Sequence, residues 1–210
     1  MKIKQIHKTI RTYFVLAPFL LMFLNGYSQS VEDYIKSANY KLQHDNLEGA
    51  IKDFNDGLKI SPNNATLYNG IGLAKQFLKD YKSAILFYTK AIEADPKFKV
   101  SYNNRGNVRA LIKDFKGAIS DYSKAIEIDP NFADAYYDRG NAYYDLEKDK
   151  EAISDFSNAI RLNPNHARAY YNRGNSELAL GQKEKACADF KKSGDLGLED
   201  GYKAVKEVCH

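Results

Sequence analysis

The chain repeats itself every 34 residues. Gly72, Gly106, Gly140 and Gly174 stand one period apart, and so do Pro62, Pro96, Pro130 and Pro164. Residues 99–132, KVSYNNRGNVRALIKDFKGAISDYSKAIEIDPNF, show the unit in full. A fixed period of this length marks a stack of supersecondary units, none of which can bury its apolar face without a neighbour. Within each unit a small residue and an aromatic follow the glycine by 12 and 16 positions: Ala118 with Tyr122, Ala152 with Phe156, Ala186 with Phe190. Such spacing places both on one helix, four residues apart and on one face.

This pattern resembles the tetratricopeptide repeat, whose helix-turn-helix unit reads W-x2-L-G-x2-Y, then A-x3-F, then P. The resemblance covers five units (residues 31–64, 65–98, 99–132, 133–166 and 167–200), or 170 of the 210 residues. It implies an all-α, right-handed α-solenoid. Three departures stand out. Tyr replaces Trp at unit position 4 (Tyr34, Tyr68, Tyr102, Tyr136, Tyr170), Ala38 replaces the first glycine, and Leu198 stands where the last unit would carry proline. Terminal units have one neighbour only, so atypical ends fit a capped stack.

Two antiparallel helices per unit are expected, A at unit positions 2 to 14 and B at 18 to 31. Glycine at position 8 and alanine at position 20 let their backbones approach. The aromatics at 4 and 24 and the aliphatics at 21 and 28 read as core by their helical recurrence. Asp95, Asp129 and Asn163 precede proline, which excludes the α region and ends helix B there. Links this short leave one domain, residues 29–210. Beyond Gly194, residues 199–208 read as one more amphipathic helix that caps the fifth unit.

Charge narrows the function. The formal net charge is +4, but Lys2, Lys4, Lys8 and Arg11 lie in the first 28 residues, which hold no acid. Setting those four aside leaves 27 bases against 27 acids, and a neutral body has no footprint for nucleic acid. The first 28 residues read as a signal peptide: a basic start, the apolar run YFVLAPFLLMFL, then small residues before Gln29. The run is shorter than the roughly 20 apolar residues of a membrane span, so cleavage, with no stable span afterwards, is expected over a retained anchor. Its tail, FLNGYSQS, looks like export signals of Bacteroidetes-type bacteria. A periplasmic or secreted protein is the consequence.

No catalytic constellation is visible. His7, His44, His166 and His210 fall in no metal-ligand pattern, and Cys187, Cys209 and His210 give three ligands at a spacing that matches no zinc motif. Each Arg-Gly-Asn lies inside a helix and is no phosphate loop. Neither enzyme activity, metal nor cofactor is expected. Arg105, Arg139 and Arg173 occupy position 7, where the resemblance implies leucine. A basic patch for an anion is one reading. Pairing is the better one, because units with Arg at 7 carry Asp at 23 (Asp121, Asp155, Asp189), whereas unit two has Ile71 and Phe87. Unit one sets Asp53 against Ser37 and departs from the rule.

Cys187 takes position 21, where Ile85, Ile119 and Ile153 stand, so a small buried apolar residue is one reading of it. Cys187 and Cys209 are also equidistant from Leu198 in the last turn. Residues so placed on a helical hairpin lie side by side, and export then favours a disulfide.

By the same resemblance, positions 2, 5, 9, 12 and 13 of helix A face a concave groove. Asn69, Asn103, Tyr137 and Tyr171 stand at position 5, Asn107, Asn141 and Asn175 at position 9, and Tyr144 nearby. An amide matches a peptide unit in donors and acceptors, so an extended peptide or partner segment is the expected ligand. Alternatives are a cell-envelope carbohydrate stacking on the tyrosines, self-association, or amides that merely satisfy one another. The family's two-carboxylate clamp needs lysines that are missing here, and Asp138 intrudes beside Asn103, Asn107, Arg168 and Asn172, so an acidic C-terminus is disfavoured.

Overall fold

A computed structural model describes residues 29–209; the expected signal peptide lies outside the described residues. Eleven helices follow one another among them: α1 Val31–Gln43, α2 Leu47–Ile60, α3 Ala65–Phe77, α4 Tyr81–Ala94, α5 Lys99–Leu111, α6 Phe115–Ile128, α7 Ala133–Tyr144, α8 Asp149–Leu162, α9 Ala167–Ala179, α10 Lys183–Asp195 and α11 Glu199–Val208. Most A helices therefore run over unit positions 1–13 and most B helices over 17–30, one position earlier than periodicity predicts. Each helix packs on its sequence neighbours, and the odd-numbered helices α1 to α9 also touch one another in succession. Helices A thus line the inner face of an α-solenoid.

The turns are built identically. At position 15, Asp45, Lys79, Lys113, Glu147 and Gly181 all take positive φ, from 57° to 74°. In each unit the next N–H reaches back to the carbonyl at position 11, as in Asp114 N to Arg109 O at 2.8 Å. Helix A therefore closes with a left-handed residue, and only unit five supplies the glycine that favours it. Asn46, Asp80 and Asp114 at position 16 then cap helix B through their side-chain oxygens. At the other end Asp95, Asp129 and Asn163 are extended before proline.

The core is narrower than the pattern predicts. The rings at position 24 are buried (Phe54, Tyr88, Tyr122, Phe156, Phe190), with small residues at 8, 20 and 27 around them. The tyrosines at 4 and the aliphatics at 21 and 28 are mostly only half-buried. Position 3, unremarked in the sequence, is fully buried at Leu67, Ser101, Ala135 and Ala169. A Cβ on Gly140 would stand 2.8 Å from the Phe156 ring, so glycine at position 8 is a packing requirement. Unit one solves the contact differently: Ala38 fills the slot, and Phe54 crosses to Gly70, where a Cβ would lie 2.3 Å from its ring.

At the C-terminal end α11 lies against α10 so closely that a Cβ on Gly201 would be 2.5 Å from the Phe190 carbonyl oxygen. A disulfide joins Cys187 to Cys209, with their Cα atoms 5.8 Å apart.

Candidate functional site

The arginines of position 7 are structural connectors. Arg105, Arg139 and Arg173 each grip the aspartate of their own unit with two bonds; for Arg139 these are Nε to Asp155 Oδ2 at 2.7 Å and the terminal nitrogen to Oδ1 at 2.8 Å. Asp121 and Asp189 receive the same fork. The remaining guanidinium nitrogen donates backwards to a hydroxyl of the preceding unit, at Thr89, Ser123 or Ser157. This third contact, at position 25, escapes a reading confined to one unit. The tyrosine at position 4 lies over the same guanidinium, about one helical turn away, with Arg139 Cζ 5.7 Å from the Tyr136 ring. Unit one fills the gap at position 11 instead: Asp53 accepts from Lys41 Nζ and Ser37 Oγ, both at 2.6 Å. Unit three uses that position too, through Arg109 on Asp121 at 2.8 Å.

On the inner face the structure separates the expected groove residues into two sets. Position 5 belongs to the junction between units. Asn69 accepts from Asn104 at 3.1 Å, Asn103 donates to Asp138 at 2.9 Å, and the Tyr137 hydroxyl accepts from Asn172 at 3.2 Å, so position 5 of one unit meets position 6 of the next three times. Asn103 is only 5% exposed and is removed from the groove surface. Tyr137 packs on Phe156 and His166, and Tyr171 packs on Phe190, with centroids 4.5–5.9 Å apart. These rings are wall, not free platforms, because each packs against a phenylalanine on helix B of its own unit.

Position 9 remains on the surface. Asn107 accepts from the Tyr122 hydroxyl at 2.7 Å, Asn141 accepts from Asn172 at 2.8 Å, and Asn175 makes no side-chain hydrogen bond among the described residues. Where Leu73 interrupts this row, the Tyr88 hydroxyl turns to Gln76 at position 12 instead. Tyr144 is exposed, as are Phe77 and Leu111 farther along the face. Between units two, three and four lies a pocket of about 410 Å³ lined by Gln76, Asn107, Leu111, Tyr122, Asp138 and Asn141, among others. Burial raises the Asp138 carboxyl to about 6, with Asn103 holding it down in part. Tyr122 is pushed up by burial and, less, by the Asp138 charge. Gln76 and Leu111 are groove residues that the sequence reading did not single out, whereas Asp138 carried a signal, as an acid at a position the clamp gives to asparagine.

Among the described residues no group of histidines, cysteines and carboxylates is arranged to hold a metal ion, and no helix is long and apolar enough to cross a membrane.

Residues 106–147 and 140–181 match the TPR repeat family, and residues 65–98 match the Tetratricopeptide repeat family. These spans together exceed half of the chain. It belongs to the tetratricopeptide repeat proteins. Among curated proteins a sequence search finds no match. Solved structures of similar shape include the MamA protein, at 26% identity and a TM-score of 0.69 over 84% of this chain and 94% of that one. YrrB, described as a TPR protein with an unusual peptide-binding site, is 25% identical with a TM-score of 0.66, over 84% of this chain and 91% of its own. PilF of Pseudomonas aeruginosa superimposes with a TM-score of 0.75 at 20% identity, over 80% of this chain and 77% of that one, a likeness of fold. A tetratricopeptide array of this kind is a protein-interaction scaffold.

Proposed function

We propose that this protein is a non-catalytic, exported scaffold that binds an extended peptide segment of a partner in the concave face of its repeats. The observation that carries the reading is the row at position 9. Asn107, Asn141 and Asn175 stand one per unit on the inner face, with amide groups not consumed by burial, beside exposed Leu111 and Tyr144. An amide offers donors and an acceptor to a peptide backbone, and an exposed apolar side chain offers area to its side chains. The similarity to YrrB supports a peptide ligand. The carbohydrate alternative loses ground because two of its three groove tyrosines, Tyr137 and Tyr171, are packed against phenylalanines, which leaves Tyr144 as the exposed ring. Export is supported by the Cys187–Cys209 bond, since disulfides persist in oxidising compartments.

The test is binding of peptides selected from a displayed random library to the protein and to a variant with Asn107, Asn141 and Asn175 all changed to Ala. The variant should fold and lose at least ten-fold in affinity. An unchanged affinity in the folded variant overturns the reading.

A further inference from the structure

We infer that the pocket between the second, third and fourth units receives a cationic side-chain head, lysine or arginine, carried by the bound segment, with Asp138 as its counter-ion. The inference rests on the groove reading above and assigns the chemistry of one subsite within it.

The first argument is the way this array treats its acids. The four buried aspartates each hold a cation: Asp53 has Lys41, Asp121 has Arg105 and Arg109, Asp155 has Arg139, and Asp189 has Arg173. Asp138 is the departure. Its carboxylate meets the amide of Asn103 at 2.9 Å and lies beside that of Asn107, and it enters no ion pair among the described residues. Every other titratable group that bears on it is an acid: Asp134 on its own helix, Tyr122 on α6, and Asp145 on the same pocket wall. A carboxylate drawn from water without a counter-charge is unfavourable, and that penalty is relieved when a cation arrives. Burial, and less so the charge of Asp134, raises its titration in keeping with this.

A second observation points the same way. Asn103 is nine-tenths buried, donates its amide to Asp138, and leaves its own Oδ1 without a hydrogen-bond partner. Asn103 itself lies outside the pocket lining, so this bond holds the carboxylate with a neutral group only, while Asp138 lines the pocket and is open there to a charged donor. An ammonium or guanidinium group brings several donors and one positive charge. The walls suit the rest of such a side chain: Ala110, Leu111 and Ala142 give apolar surface for its methylene stem, and Gln76 and Asn141 give polar groups toward the head.

The probe is N-acetyl-lysine methylamide, titrated into the full chain while the side-chain amide signals of Asn107 and Asn141 are followed by NMR. N-acetyl-norleucine and N-acetyl-glutamate methylamides serve as the uncharged and acidic controls. The lysine probe should shift these signals saturably, at least ten-fold more tightly than norleucine, and Asp138→Asn should erase that preference. Asp145→Asn, nearer the rim, should weaken binding by a smaller factor. Equal binding of lysine and norleucine, preference for glutamate, or a preference that survives Asp138→Asn in the folded variant would each overturn the assignment. A library-selected peptide that seats in the groove with no basic residue and ignores Asp138→Asn overturns it as well, while leaving the groove reading intact. Saturable lysine binding without any bound peptide would do the reverse.

Discussion

Changing Arg139 to Ile removes three hydrogen bonds at once: two to Asp155, at 2.7 and 2.8 Å, and one to Ser123 in the preceding unit at 2.9 Å. The larger consequence falls on what stays behind. Asp155 keeps its charge with a side chain only 5% exposed and no other cation on it among the described residues. Breaking a buried pair from one side costs about 3–5 kcal/mol, most of it from the stranded charge. In a chain of this size that is a fall of roughly 6–20 °C in melting temperature. The array contains its own control, because unit two places Ile71 and Phe87 at the two positions. Arg139→Ile with Asp155→Phe copies that solution and should return stability to within about 1 kcal/mol of the parent, since apolar replacement of a whole buried pair is close to neutral. Urea unfolding of the parent, both single variants and the double, followed by circular dichroism, gives the coupling directly. Effects that add to within about 0.5 kcal/mol would refute the reasoning.

Gly140→Ala places a methyl group 2.8 Å from the Phe156 ring; overpacking of about 1–3 kcal/mol should outweigh the roughly 0.5–1 kcal/mol that alanine gains inside a helix, and a raised melting temperature would contradict this. Reducing the Cys187–Cys209 bond should loosen α11 first and lower stability by roughly 3 kcal/mol for a loop of this length, which melting with and without reductant measures. Asp138 makes a pH-dependent contribution of definite sign. Its folded value, about 6, lies above the unfolded one, so the folded state binds more protons and stability falls as pH rises from about 4 to about 7, by roughly 3 kcal/mol at most. Burial lowers His166, whose ring caps α9, and the sign there is opposite: stability rises as pH climbs through about 6.5. The difference between the parent and Asp138→Asn isolates the first effect, and a difference that does not vary with pH would contradict it.

Much of the fold is legible in the sequence because identical units expose their own rules. Comparison of Arg139 and Asp155 with Ile71 and Phe87 points to the partners at positions 7 and 23, since charge follows charge within a unit. The hydroxyl at position 25 is not found this way: it serves the arginine of the following unit, and Ser123 alone reads as an ordinary surface serine. Lys79 and Lys113 likewise give no hint of positive φ, which neighbouring backbone bonds impose on them. The groove was harder for a related reason. Helical periodicity says which way a residue points from its own axis, and it says nothing of the curvature of the stack. Asn103 and Asn107 lie four residues apart on one helix, yet Asn103 is sealed under α7 and Asn107 is only half-buried and lines the pocket. Small side chains carried the same ambiguity: Ser101 and Ala135 look like fillers and are fully buried at the contact between units.

The claim that an extended segment lies along the inner face is tested most directly by a crystal structure of the protein with the tightest peptide selected from a random library. The peptide should run along α5, α7 and α9, with its backbone within hydrogen-bonding distance of Asn107, Asn141 and Asn175 and its side chains on Leu111 and Tyr144. A peptide seated on the outer B helices, or one that reaches none of the three asparagines, would contradict the account.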